Sequence, residues 1–264
     1  MSLRFCANLN FLFCENGPNI FEKFRLAKAA GFRGIELACP EELSSGEVVA
    51  ALKNNGLEVA LLNMSTGTKP EAANGCASLP NFENEFRANF LRTMEYAKAF
   101  NCKKIHILAG KPPTLGAPEN DETYLRNLQF AGEQLESTGI IGVIEPINNY
   151  SLPGYYLSSY EKALNILKKL NNSNIKLLMD LFHLQLIKGN ITNTLNDLKS
   201  HIGHAQVAQP PHRSEPNTAG EVNFKYVFKV LENVGYNDWV GCEYKPTTNS
   251  KDNLGWIQEW GYSF

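Results

Sequence analysis

The chain has 264 residues, of which 43% are hydrophobic and 20% charged, an ordinary globular composition long enough for one large domain or two small ones. A net charge of −2 leaves no basic footprint for nucleic acid and no polybasic membrane patch. No apolar stretch approaches the ~18 residues of a membrane span, and Met1-Ser2-Leu3-Arg4-Phe5 lacks the apolar core of a signal peptide. The six cysteines (Cys6, Cys14, Cys39, Cys76, Cys102, Cys242) show neither CxxC nor zinc-ribbon spacing, as expected of reduced, mostly buried thiols in a cytoplasmic protein.

The first strand is predicted at Leu3–Leu9, and a helix over Ile20–Ala30 carries Phe21, Phe24, Leu26 and Ala27 at helical spacing before Gly31. Gly34–Leu37 reads as strand, Ser45–Asn55 as helix closed by Gly56, and Leu57–Asn63 as strand. A long polar loop, Met64–Pro80, contains Gly67, Pro70 and Gly75 and precedes the longest predicted helix, Phe82–Phe100. Lys104–Leu108 is the fourth strand, Glu122–Glu136 a helix, and Ile140–Ile144 an apolar strand that Pro146 must end. Ser158-Ser159-Tyr160-Glu161 reads as a capping box opening a helix to Leu170. Strand Ile175–Asp180, helix Thr192–Lys199, strand Gly203–Val207, helix Asn223–Val234, strand Trp239–Tyr244 and a last helical stretch to Trp260 complete the series.

Strands and helices thus alternate eight times at a spacing of roughly 35 residues, which argues for a parallel sheet. Eight βα units in about 250 residues is the size of a closed (β/α)8 TIM barrel. The competing open doubly wound sheet usually carries a GxGxxG after its first strand, and none is present. No linker-like shift divides the chain, so residues 1–264 read as one α/β barrel domain.

A barrel's active site lies at the C-terminal ends of its strands. There the fifth strand offers Glu145, the sixth Asp180, the seventh Gln206 and the eighth Glu243. Any one of these alone is more often a solvated loop residue or a helix cap. Three carboxylates and an amide on four neighbouring strands would instead repel one another unless they share a cation. Oxygen ligands of this kind suit Mg²⁺ or Mn²⁺. Glu36, closing the second strand, points to the same region, with barrel packing or a salt bridge as an equal explanation. His183, just past Asp180, could donate to a substrate oxygen, while His106 and His204 fit the core or the surroundings of the site better. Arg213, in the long seventh loop, could clamp a carboxylate. Lys245, two residues past Glu243 and so on the same strand face, is a further anion contact. Arg213 also reads as an exposed loop charge.

The chain resembles the hydroxypyruvate isomerase family of xylose-isomerase-like barrels. The resemblance is carried by Arg4-Phe5-Cys6-Ala7-Asn8-Leu9, Gly34-Ile35-Glu36, Ile144-Glu145-Pro146-Ile147-Asn148, Asp180-Leu181-Phe182-His183-Leu184-Gln185, His204-Ala205-Gln206-Val207-Ala208, Gly220-Glu221-Val222-Asn223 and Gly241-Cys242-Glu243-Tyr244. It implies that Glu145, Asp180, Gln206 and Glu243 bind a divalent metal, and that Glu145 and Glu243 act as acid and base. Many sugar isomerases and epimerases of the superfamily have His where Gln206 stands, whereas hydroxypyruvate isomerases resemble this chain in having Gln. The implied substrate is a small 2-oxo acid, isomerised from hydroxypyruvate to 2-hydroxy-3-oxopropanoate, with Arg213, Lys245 and His183 as contacts for its acid end. The alternatives are a 2-oxotetronate or a ketose as substrate. A zinc nuclease, for which the histidine clusters are missing, and a non-catalytic binding protein are further from the sequence. Phe11, Phe13, Trp256 and Trp260 are candidates for packing on a second copy in a homo-oligomer, or equally for closing the barrel ends.

Overall fold

The computed structural model describes residues 3–66 and 69–264; Gly67 of the predicted polar loop lies outside the described residues. Strands β1 (Arg4–Asn8), β2 (Gly34–Ala38), β3 (Glu58–Asn63), β4 (Lys104–His106), β5 (Ile141–Ile144), β6 (Ile175–Asp180), β7 (Ile202–Val207) and β8 (Trp239–Cys242) run parallel and close into a barrel in sequence order. The closing seam pairs Cys6 of β1 with Gly241 of β8. Around it lie α1 (Ile20–Ala29), α2 (Ser45–Asn55), α3 (Glu83–Ala99), α4 (Pro118–Leu135), α5 (Tyr160–Leu170), α6 (Leu181–Ile187), α7 (Ile191–Leu198), α8 (Phe224–Asn233) and α9 (Gly255–Glu259).

The helices form where side chains satisfy their first turns. Asn19 accepts from the backbone N–H groups of Phe21 and Glu22 at the start of α1. Ser44 caps α2 and donates to Glu47 at 2.7 Å, a reciprocal pair of the capping-box kind. Helix α2 stops at Gly56, whose φ of +62° is costly for a residue with a Cβ. Helix α8 buries Phe224, Val227, Phe228 and Leu231, a three-and-four spacing that lays one face on the barrel. Each such side chain contributes about 1.5–3 kcal/mol when fully buried.

Several local expectations shift, and β4 ends at His106 rather than Leu108. Helix α4 starts at Pro118 rather than Glu122, because proline fits the first helical position, where no N–H is needed. The cap of α5 is Ser159, one residue later than the predicted box, and its hydroxyl accepts from Lys162 N–H. Helix α6 follows β6 directly, where no helix was predicted. Strand β8 ends at Cys242 rather than Tyr244, so the period-two argument that put Lys245 on the face of Glu243 does not extend to it.

The aromatic residues offered as oligomer contacts find partners within the chain. Trp256 lies edge-on to Phe5, with ring centroids 5.0 Å apart, and also meets Trp260 at 5.3 Å. Phe13 is buried against Phe32, and Phe11 lies beneath the Arg213 guanidinium at 4.6 Å. All six cysteines are free thiols, four of them buried. No helix among the described residues is long and apolar enough to cross a membrane.

Candidate active site

Strand register brings the predicted residues together. Asp180 pairs with Gln206 across β6 and β7, and Gln206 pairs with Gly241 across β7 and β8. Glu243 is the first residue after β8, and its Oε1 lies 3.1 Å from Asn8 Nδ2. Glu145 is the first residue after β5. Asp180 is completely buried, Glu145 is 4% exposed and Gln206 2% exposed.

Three of the four candidate ligands end in buried oxygens without a hydrogen-bond partner: Glu145 Oε1, Asp180 Oδ2 and Gln206 Oε1. Buried polar atoms are seldom left unpaired, because the lost hydration is not returned. Their other polar atoms are fixed by neighbours. Asp180 Oδ1 accepts from Phe182 N–H at 2.8 Å as the cap of α6. The Gln206 amide donates to Glu36 Oε2 at 2.8 Å and lies 3.4 Å from Glu243 Oε1. Glu145 and Asp180 offer ligand oxygens within 4.8 Å of each other, and unpaired oxygens with no thiolate among them form a donor set that fits a hard divalent cation.

His183 stands beside these oxygens, with Nε2 3.5 Å from Asp180 Oδ2 and 3.8 Å from Glu145 Oε1. Its Nδ1 accepts the backbone N–H of Asn148 at 3.2 Å. An N–H can only donate, so Nδ1 carries the lone pair and Nε2 the proton in the neutral ring. Burial, with the Arg213 charge second, depresses the His183 pKa to about 3, so the ring is neutral. His183 therefore faces the site as a donor and has no free lone pair there for a metal.

Arg213 has φ of +57°, a left-handed backbone that costs an L-residue about 1–2 kcal/mol, and its carbonyl accepts from Lys245 N–H at 2.7 Å. The guanidinium lies between the rings of Phe11 and Phe182, 4.6 and 4.9 Å from their centroids. It donates to the Glu243 carboxylate and lies 3.5 Å from Asp180 Oδ2. It thus touches the candidate ligands themselves, beyond the substrate carboxylate that was its expected partner. The Lys245 side chain is exposed.

Burial raises the Glu145 carboxyl well above 4.5, and the Glu243 and Asp180 charges push it further. Glu243 is raised to about 7 by burial, against the opposing pull of Arg213. Asp180 is raised for the same first reason. Two carboxyls displaced toward neutral pH in one enclosed site are suited to passing a proton.

Asn8, Asn63, His106 and Asn148 also belong to the site. Asn8 donates to Glu243 Oε1 at 3.1 Å. His106 holds Asn63 Oδ1 at 3.2 Å through Nδ1 and puts Nε2 3.5 Å from Glu145 Oε2. Asn8, Asn63 and His106 are the last residues of β1, β3 and β4, so the strand-end rule that picked out the carboxylates would have found them too.

A closed eight-stranded parallel barrel with carboxylates at its strand ends defines a class, and comparison with known proteins agrees with it. Residues 24–260 match the family model of the xylose isomerase-like TIM barrel. The hydroxypyruvate isomerase of Escherichia coli (strain K12) is 39% identical over 97% of this chain and 98% of its own. The 2-oxo-tetronate isomerase of Cupriavidus necator is 36% identical over 97% of each. A crystal structure titled as an AP endonuclease, family 2, from Brucella melitensis superposes with a TM-score of 0.92 at 35% identity, covering 98% of this chain and 99% of that one. The chain belongs to the xylose isomerase-like TIM barrel family and, within it, to the hydroxypyruvate isomerase family. It is an isomerase.

Proposed function

We propose that this isomerase interconverts hydroxypyruvate and 2-hydroxy-3-oxopropanoate with Mg²⁺ or Mn²⁺ bound by Glu145, Asp180, Gln206 and Glu243. The observation that carries the reading is that Glu145 and Asp180 stand within metal-ligand reach of each other, with Glu145 Oε1, Asp180 Oδ2 and Gln206 Oε1 all buried and unpaired and a further carboxyl, Glu243, raised to about 7. A divalent cation held there supplies Lewis acidity, which makes the hydrogens beside a carbonyl easier to remove.

In the proposed reaction, one of Glu145 and Glu243 takes a proton from C3 as its electron pair moves into a C2–C3 double bond. The enediolate then accepts a proton on C2 from the other glutamate, and the hydroxyl proton moves from O3 to O2. His183 Nε2–H is the donor suited to the oxygen that gains charge, since Asn148 fixes its tautomer. Arg213 supplies the cation for the substrate carboxylate. The 2-oxotetronate alternative presents the same acid end and has support from the Cupriavidus necator relative. A zinc nuclease needs a histidine-rich metal cluster. Among the described residues, the groups with metal-ligand geometry are Glu145–Asp180–His183 and Cys6–Glu36–His204, with one histidine each.

The test is incubation with hydroxypyruvate and Mg²⁺ or Mn²⁺ in D₂O, followed by NMR. Product aldehyde with deuterium at C2 is expected. Glu145→Gln and Glu243→Gln should each slow turnover by about 10²–10⁴-fold. Turnover of a ketose with none of hydroxypyruvate would refute the substrate assignment.

A further inference from the structure

Gln206 is the one neutral member of the proposed ligand set, and an amide can turn either its oxygen or its NH₂ toward a site. Which end faces inward is fixed by a hydrogen-bonded chain that runs down the barrel. Asp238 Oδ2, on a side chain 40% exposed, pairs with Lys104 Nζ at 2.8 Å. Lys104 Nζ lies 3.1 Å from His204 Nδ1, and His204 Nε2 lies 2.5 Å from Glu36 Oε1. Glu36 Oε2 then meets Gln206 Nε2 and Asn8 Nδ2, each at 2.8 Å. Between the Asp238 end and Gln206, the His204 and Glu36 side chains are wholly buried.

Every link has one allowed polarity. A lysine ammonium has donors and no acceptor, so His204 Nδ1 accepts and Nε2 carries the proton. That proton leaves Glu36 Oε1 as acceptor. Asn8 Oδ1 accepts the backbone N–H of Asn10 at 3.0 Å, so the Asn8 NH₂ must be the end facing Glu36 Oε2. An oxygen already accepting from Asn8 would repel the Gln206 oxygen, so Gln206 also turns its NH₂ to Glu36. Its own oxygen is thereby left facing the site, where it is buried and unpaired. The barrel makes room for the arrangement: a Cβ on Gly241 would fall 2.0 Å from Glu36 Oε1.

We propose that Glu36, locked by the chain Asp238–Lys104–His204, is the positioning residue of the metal site and makes Gln206 an oxygen ligand. The proposal rests on the reading of Gln206 as a ligand. With Glu36→Gln, His204 Nε2–H keeps the new amide oxygen and the new NH₂ meets Gln206, which must flip and turn its own NH₂ to the site. Outer partners of metal ligands typically carry about 10–100-fold in affinity, and a loss of that size is expected for Mn²⁺. Adding Gln206→Glu to Glu36→Gln restores an oxygen toward both sides and should recover most of that affinity.

The experiment is calorimetric Mn²⁺ titration of wild type, Glu36→Gln, Gln206→Glu and the double variant, with metal-free melting temperatures measured alongside. A weakened Glu36→Gln with a recovered double variant supports the proposal. Unchanged Mn²⁺ affinity in Glu36→Gln overturns it and leaves the metal site standing. A double variant as weak as Glu36→Gln overturns it too, reducing Glu36 to a structural role. Wild type that binds no Mn²⁺ overturns the site reading and the proposal with it. Lys104→Met gives a second route that touches no carboxylate of the site. It frees the His204 tautomer and should weaken Mn²⁺ several-fold, and unchanged affinity there refutes the relay.

Discussion

Gly241→Ala tests how tightly the barrel interior is built around Glu36. The added Cβ would lie 2.0 Å from Glu36 Oε1, 2.5 Å from Cδ and 2.6 Å from Oε2, well inside contact distance for all three carboxylate atoms. A flexible side chain could move aside cheaply, but this carboxylate is held by His204 at 2.5 Å and by Gln206 and Asn8 at 2.8 Å. Overpacking of this kind costs about 1–3 kcal/mol. For a chain of this size that corresponds to a melting temperature lowered by roughly 2–12 °C. Displacing Glu36 also releases Gln206, so Mn²⁺ affinity should fall together with stability. Gly203→Ala is the control, since its Cβ would meet Lys176 Cβ and Val143 Cγ1 at 2.9 Å, away from Glu36. Scanning fluorimetry and Mn²⁺ titration should find both variants destabilised and only Gly241→Ala impaired in metal binding. Equal loss of metal affinity in the two, or none in Gly241→Ala, would refute the reasoning.

Mn²⁺ affinity should also depend on pH in a defined direction. Glu243 is raised to about 7 and Glu145 well above 4.5, both first by burial, so below about pH 7 a metal must displace a proton from Glu243, and it competes with protons at Glu145 in the same sense. Calorimetry from about pH 5.5 to about pH 8 should show binding that tightens as pH rises through the Glu243 range; a flat profile would contradict the assignment. The nearby histidines do not reverse the trend, because burial depresses His106 and His183 to about 3 and they stay neutral throughout. Arg213→Met should reduce kcat/KM for a 2-oxo acid by about 10–100-fold, the worth of a hydrogen bond to a charged group, chiefly through KM. A loss confined to kcat would argue against Arg213 as the carboxylate contact.

The barrel was legible because its signals are local. Strand β6 and helix α2 fall on their predicted bounds, since an apolar run ended by a carboxylate and a helix between Ser44 and Gly56 each contain their own punctuation. Helix α6 was not legible. Leu181-Phe182-His183-Leu184 is buried throughout, so it has no polar face to reveal a helical period, and its cap, Asp180, reads first as a ligand. Among site residues, Glu145, Asp180, Gln206 and Glu243 could be found from strand ends alone. The contact of Arg213 with Glu243 and Asp180 could not, because it depends on a left-handed residue at the end of a loop. Nor could the Glu36 chain, whose members come from β2, β4, β7 and the approach to β8 and meet only when the barrel closes.

Charge balance connects these features to the chemistry. Lys104 and Asp238 offset each other at the far end of the chain. Glu36, Glu145, Asp180 and Glu243 would together carry −4 if all were ionised, and Arg213 returns +1, leaving −3. So large a charge is costly in a buried site, and burial raises the carboxyl pKa of Glu145, Asp180 and Glu243, which favours protons on these three while Glu36 keeps both oxygens as acceptors for His204, Gln206 and Asn8. The proposed divalent cation takes −3 to −1, a remainder that a single proton neutralises. With one proton between Glu145 and Glu243, one is ready to donate and the other to accept, as the proposed two-way isomerisation requires. Protonating both would leave the proposed metal with Asp180 as its one anionic ligand, and ionising both would leave a buried charge unmatched. The Arg213 guanidinium, fixed between two aromatic rings, therefore helps to set how many protons the pair holds as well as contacting the ligands.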